Sequence, residues 1–107
     1  MAIARIWSCR ADPKHADAYQ HVFRDKVLPA LDQIPGFLGA MLMRREDKGE
    51  IEYTVLTRWV SLDAVRKFAG ADIEQAVVEP EAAASLISYD KTVTHSEILE
   101  KVWSTTR

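Results

Sequence analysis

A single cysteine, Cys9, is all the thiol chemistry the chain carries. That excludes an internal disulfide and a thiolate metal site. No cation or base beside Cys9 in the sequence would activate it, so it reads as a small buried residue. Glycine is also scarce: the four glycines never cluster, and nothing resembles a phosphate-binding loop or a dinucleotide fingerprint. No nucleotide, flavin or other cofactor is therefore expected. Long apolar runs are missing, and none approaches the ~20 residues a membrane helix needs. The N-terminus lacks a basic segment followed by an apolar one, so no signal peptide is expected and a reducing cytoplasm is the simplest location. Charge of one sign is lacking too. Fourteen basic residues face sixteen acidic ones, for a net charge of −2, with both signs scattered along the chain. No basic block suggests nucleic acid, and no basic amphipathic stretch suggests a lipid surface. Of the three histidines, no two have helical i, i+4 spacing and no carboxylate completes a cluster, so no metal site is expected.

What remains is an ordinary globular composition, 48% apolar and 28% charged, in 107 residues. That suits one domain, with a core spanning residues 2–99 and a polar tail at 100–107. Changes of hydrophobic period mark out the elements. Residues 2–9 alternate as a strand with Ile3, Arg5, Trp7 and Cys9 on one face. Asp12-Pro13 makes a helix start. Ala16, Tyr19, Phe23, Val27 and Leu31 then form a helical stripe, and Pro29 should kink it or end its regular bonding near Arg24 or Asp25. Pro35-Gly36 closes the segment.

Residues 37–44 read as a second strand that is apolar on both faces. Phe37, Met41 and Met43 point one way with Gly39, and Leu38, Ala40 and Leu42 the other. Asp47-Lys48-Gly49 is a hairpin turn. The third strand puts Ile51, Tyr53, Val55, Thr57 and Trp59 on one face. Ser61 can cap a second helix bearing Leu62, Val65 and Phe68, which Gly70 interrupts. Asp72 can cap a further turn, and residues 81–87 are a short helix or a loop. Residues 89–99 read as the last strand. The order β-α-β-β-α-β is the ferredoxin-like, split βαβ arrangement, an α+β fold with a four-stranded antiparallel sheet. Both helices of such a fold cover one sheet face. The other should be polar in a monomer, yet it carries apolar residues of the second strand together with Ile6 and Leu56. A homodimer that covers it is the expected solution.

The Pro35-Gly36-Phe37 lead-in to the second strand, Tyr53-x₅-Trp59-x-Ser61 running into the second helix, and Tyr89-Asp90 opening the last strand together resemble the antibiotic-biosynthesis monooxygenase (ABM) family of dimeric α+β barrels. The resemblance implies a pocket between sheet and helices. It also implies kinship with cofactor-free oxygenases of anthrones and quinols, and with haem-degrading enzymes. Trp59 matches the pocket tryptophan of the anthrone-oxidising members. Their asparagine four residues earlier is Val55 here, and their tyrosine six residues later is Val65. The tryptophan and histidine of the haem degraders fall on Phe68 and Val78, neither able to ligate iron, so haem degradation is not expected.

The resemblance, with the match at Trp59, implies an oxidoreductase, a cofactor-independent monooxygenase of a small aromatic or quinol-like substrate. Trp59 could stack on the ring and donate its indole N–H. Tyr53 could hydrogen-bond a substrate oxygen, and His95 could act as general base. Trp7, Phe23, Val55 and Phe68 would line the pocket. Trp59, Tyr53, Trp7, Phe23 and Phe68 have a plain alternative in packing, His95 has one as a surface or hydrogen-bonded structural residue, and His15 and His21 read as solvated. A non-catalytic module binding a small apolar ligand, or an isomerase or hydrolytic enzyme relying on His95, are the competing readings.

Overall fold

In the computed structural model, which describes residues 2–104, the chain runs β1 (Ile3–Ala11), α1 (Ala16–Val22), a π-helical turn (Phe23–Val27), α2 (Leu28–Asp32), β2 (Phe37–Asp47), β3 (Glu50–Trp59), α3 (Leu62–Ala69), α4 (Pro80–Ala84), β4 (Ser88–Tyr89) and β5 (Thr94–Glu97). The sheet is antiparallel throughout, ordered β2-β3-β1, with β4 and β5 both pairing with the far edge of β1. This is the α+β, ferredoxin-like arrangement expected, with one difference. The last strand is broken into two short pieces, Cys9 pairing with Tyr89 and Arg5 with His95. Of the polar tail, residues 105–107 lie outside the described residues, and Val102 and Trp103 are exposed.

The long first helical stretch follows from Pro29. A proline cannot donate to the carbonyl four residues back, and its ring crowds that carbonyl. The chain widens into the π turn directly before it, and the Leu28 N–H reaches the Phe23 carbonyl. Asp12 caps a turn rather than the helix itself. Its carboxylate accepts from the Lys14 N–H at 2.8 Å, and α1 begins only at Ala16. Ser61 does cap α3, accepting from the Ala64 N–H at 3.2 Å. Asp72 holds a turn and no helix, through the Glu74 N–H at 3.1 Å. Glu79 and Pro80 start α4, so residues 81–84 are helical. Lys48 and Gly49 both have positive φ, as a two-residue hairpin of the right twist requires.

Side chains on the helix-facing side of the sheet line up in rungs. Phe37, Trp59 and Ile3 form one; Ala40, Thr57, Arg5 and His95 the next; Leu42, Val55 and Trp7 a third. Phe37 thus faces the helices with Ala40 and Leu42, not with Met41 and Met43 as the simple alternation predicts. A bulge between Phe37 and Gly39 takes up one residue and reverses the alternation. Leu38, Met41 and Met43 then share the outer face, where each is exposed.

The core lies between sheet and helices in two clusters. One gathers Cys9, Tyr19, Phe23, Ile51, Tyr53 and Val55; the other gathers Ile3, Leu31, Trp59, Ala64 and Val65. No helix among the described residues is long and apolar enough to cross a membrane.

Candidate active site

Between the two core clusters a cavity opens above the second and third rungs. Arg5 and Trp7 of β1, Val55 and Thr57 of β3 and Val93 form its floor. Tyr19, Val27 and Leu31 of the first helical stretch, Phe68 of α3 and Ala82 of α4 close the sides, and Val77 and Glu79 form an outer wall. Its volume is about 50 Å³. That is well below the ~300 Å³ where ordinary ligand clefts begin, so an aromatic ligand requires the wall to move outward. The outer wall at Val77 and Glu79 lies outside helix and strand, beyond the Ala76 N–H bond to the Lys91 carbonyl at 2.9 Å.

Two polar side chains stand on the apolar floor, directly opposite one another on β1 and β3. Arg5 is only 4% exposed, and its guanidinium sits 5.7 Å from the centre of the Phe68 ring. Nη1 donates to the Ile73 carbonyl at 2.6 Å and to Nε2 of His95 at 3.0 Å, and Nη2 donates to the Gln75 carbonyl at 2.8 Å. These bonds strap the stretch after Gly70 to β1. Among the described residues no carboxylate pairs with Arg5, and burial pulls its proton affinity below the ordinary arginine value. Thr57, 5% exposed, accepts the Trp59 indole N–H at 2.8 Å. Its own hydroxyl proton is left to point elsewhere.

The expected site residues separate into three groups. Trp7, Val55 and Phe68 line the cavity. Trp7 is held by its indole N–H, which donates to the Asp90 carbonyl at 2.8 Å, so that hydrogen is not offered to a ligand. Trp59, Tyr53 and Phe23 are not on the cavity wall. Trp59 is fully buried behind Thr57, stacked on Phe68 at 5.6 Å and edge-on to Phe37 at 5.4 Å. Tyr53 gives its hydroxyl proton to the Ala16 carbonyl at 2.8 Å, and burial raises its pKa. Phe23 packs against Tyr19 within the first core cluster. His95 lies beside the cavity, separated from it by Arg5. Its pKa is held below the ordinary 6.5, first by burial and then by the Arg5 charge, with Glu74 opposing. With Nε2 accepting from Arg5, the ring is neutral and its proton sits on Nδ1.

Arg5, Thr57 and Glu79 are the functional candidates that sequence reasoning passed over. The signal for the first was present: a charged residue in phase with Ile3, Trp7 and Cys9 on a strand face that must be buried.

The site does not suit haem. Among the described residues no histidine, cysteine or methionine lines it, and the tyrosine that does, Tyr19, has its pKa driven far up by burial. Val78 lies beyond the end of α3 and is not among the lining residues. Among the described residues no group of three or more His, Cys, Asp or Glu side chains is placed to hold a metal ion.

The sequence pattern of one family, antibiotic biosynthesis monooxygenase, matches residues 2–80, well over half of the chain. The chain belongs to that family. The matched stretch carries Arg5, Trp7, Thr57, Trp59, Phe68 and Glu79; His95 lies outside it. Several solved structures share the ABM fold. A Caulobacter crescentus CB15 protein of the same family description superposes with a TM-score of 0.70 at 21% identity, over 92% of this chain and 91% of that one. SnoaB, a cofactor-independent oxygenase from Streptomyces nogalater, gives 0.65 at 18% identity, over 94% and 96%. The heme-degrading protein Rv3592 of Mycobacterium tuberculosis gives 0.59 at 24% identity, over 96% and 100%. At these identities the likeness is one of fold. No curated protein matches the sequence significantly.

Proposed function

We propose that this ABM-family protein is a cofactor-independent monooxygenase of a small aromatic or quinol-like substrate, bound in the cavity over β1 and β3. The observation that carries this reading is an aromatic-walled cavity, with Trp7, Tyr19 and Phe68, whose floor holds two polar side chains side by side, Arg5 and Thr57. An electron-rich aromatic needs little more from a protein. Its anion passes one electron to dioxygen, the resulting radical and superoxide combine at carbon, and the hydroperoxide loses water to leave a new carbonyl. One oxygen atom goes to the product and one to water.

The residues divide that work as follows. Trp7, Val55 and Phe68 bind the ring and exclude water. Glu79 also lines the cavity, its Oε1 accepting from the Glu81 N–H at 3.4 Å, and would receive the substrate proton. Thr57 donates its hydroxyl to a substrate oxygen. Trp59 acts through Thr57, fixing the hydroxyl from behind, and His95 acts through Arg5; both are positioning residues in this reading. Tyr53 and Phe23 support the wall from the core.

The protein acts as a homodimer in this account. Leu38, Met41 and Met43 leave an apolar outer sheet face in water, and a second copy related by a two-fold axis is the simplest cover. One feature favours a second reading, a binding module without turnover: Val55 presents no amide to the cavity, and a reduced oxygen species has fewer donors to stabilise it. Oxygen uptake by chelator-treated protein with hydroquinones and anthrones separates the two. Uptake above the spontaneous rate supports the oxygenase; saturable binding with no uptake supports the module.

A further inference from the structure

Arg5 presents a charge problem that the fold does not solve internally. It is 96% shielded from water, as its 4% exposure requires, yet among the described residues it has no carboxylate partner. A guanidinium carries five N–H donors. Three bonds are accounted for by Ile73, Gln75 and His95, and the two remaining donors, on Nε and Nη2, have no acceptor among the described residues. All three existing acceptors are neutral, because His95 receives through an unprotonated Nε2. A buried cation so arranged is costly unless something anionic joins it. The strap it forms to Ile73 and Gln75 needs hydrogen bonds but no charge.

We propose that Arg5 selects the ionised form of the ligand, so that the substrate is a small phenol or enol bound as its oxyanion, with that oxygen seated between the Arg5 guanidinium and the Thr57 hydroxyl. This rests on the oxygenase reading for its role in turnover, though not for its binding step. The two residues are cross-strand partners on the same face, and both line the cavity. The charged and titratable groups around Arg5 agree. His95 on β5 is neutral with its pKa lowered, and Tyr19 on α1 has its pKa raised, so neither supplies a counter-charge at neutral pH. Glu74 acts on His95 rather than pairing with Arg5. Glu79 also lines the cavity, but its Oε1 accepts from the Glu81 N–H at 3.4 Å as the cap of α4 and does not pair with Arg5.

The chemical consequence is that binding and activation become one event. Only the anion of an electron-rich aromatic gives up an electron readily to oxygen, and a site that prefers the anion raises its fraction at a given pH. A purely apolar cavity does the reverse and favours the neutral phenol.

The test uses p-nitrophenol, whose ionisation is visible by absorbance and whose ring is too electron-poor to be oxidised, so its behaviour does not depend on turnover. With protein in excess, the bound probe should ionise at lower pH than the free probe, corresponding to at least a tenfold preference for the phenolate. Arg5→Met should abolish that preference, and Arg5→Lys, which keeps the charge and three donors, should retain part of it. Circular dichroism establishes that the variants are folded. If Arg5→Met does not fold, the wild-type titration and Arg5→Lys still decide. The proposal is overturned if the bound wild-type probe ionises at the same or higher pH than free probe, if folded Arg5→Met prefers phenolate as strongly as wild type, or if nothing binds at millimolar probe. Phenolate preference without oxygen uptake from hydroquinones would leave this inference standing and remove the oxygenase reading.

Discussion

Arg5 and His95 face each other across β1 and β5, with guanidinium Nη1 3.0 Å from imidazole Nε2. The contact requires a neutral ring, since a protonated one would set N–H against N–H and charge against charge. It therefore ties a surface strand to the floor of the cavity only while His95 stays unprotonated.

A pH dependence follows. Because the folded protein holds the His95 pKa below the ordinary 6.5, the unfolded chain binds the proton more readily. Stability from this contact is complete above about pH 6.5 and is lost as pH falls below that value toward the folded pKa. Urea unfolding of wild type and His95→Gln at pH 7.5 and 5.5 should show a smaller loss on acidification in the variant. Equal losses in both would contradict this account of the pair.

Gly36 joins α2 to β2 at φ +92°, and a Cβ built there meets the Ala64 Cβ at 2.6 Å and Val60 Cγ2 at 2.9 Å. Backbone strain and overlap then add, so Gly36→Ala should cost about 3 kcal/mol. Gly49 also has a positive φ, +80°, but open space around it, and Gly49→Ala should cost about 1 kcal/mol. Denaturant midpoints for the two variants check the contrast; similar losses would mean the Ala64 contact is not close.

Trp59 is assigned to position Thr57 rather than to touch substrate. Trp59→Phe keeps most of the packing against Phe37 and Phe68 and loses the indole donor, which should cost about 1–2 kcal/mol of stability. Trp59→Ala opens a core cavity and should cost about 3–5 kcal/mol. In the oxygenase reading, Trp59→Phe lowers kcat about tenfold and leaves KM nearly unchanged. A folded variant with wild-type kcat would remove the positioning role.

The outer sheet face predicts its own test. Met41→Glu with Met43→Glu places two carboxylates on the surface assigned to the partner copy and should convert a dimer to a folded monomer, read as halved mass by sedimentation equilibrium. A wild-type protein that is already monomeric at micromolar concentration would contradict the assignment.

Much of the fold was legible because its signals are local. The alternation from Ile51 to Trp59 sets one buried face in every second residue, and Ser61, Lys48-Gly49 and Pro29 act within a turn of where they stand. The register of β2 was not. With both faces apolar, nothing in the sequence marks the residue taken up by the bulge between Phe37 and Gly39, and every side chain after it changes face. The site was legible in outline only. Trp7, Val55 and Phe68 follow from strand and helix phase. The withdrawal of Trp59 and Tyr53 from the cavity depends on partners, Thr57 and the Ala16 carbonyl, that only the assembled fold supplies. Arg5 carried a readable signal in its phase, but its orientation depends on Ile73 and Gln75, nearly seventy positions away.

The most direct measurement of the central claim is oxygen consumption by the purified, chelator-treated protein with a series of hydroquinones and anthrones. The account predicts protein-dependent uptake above the spontaneous rate, one oxygen molecule per substrate, diminished in Arg5→Lys and Glu79→Gln. Uptake indistinguishable from the spontaneous rate across the series, from folded protein that binds those same compounds, would contradict it and leave a ligand-binding module in its place.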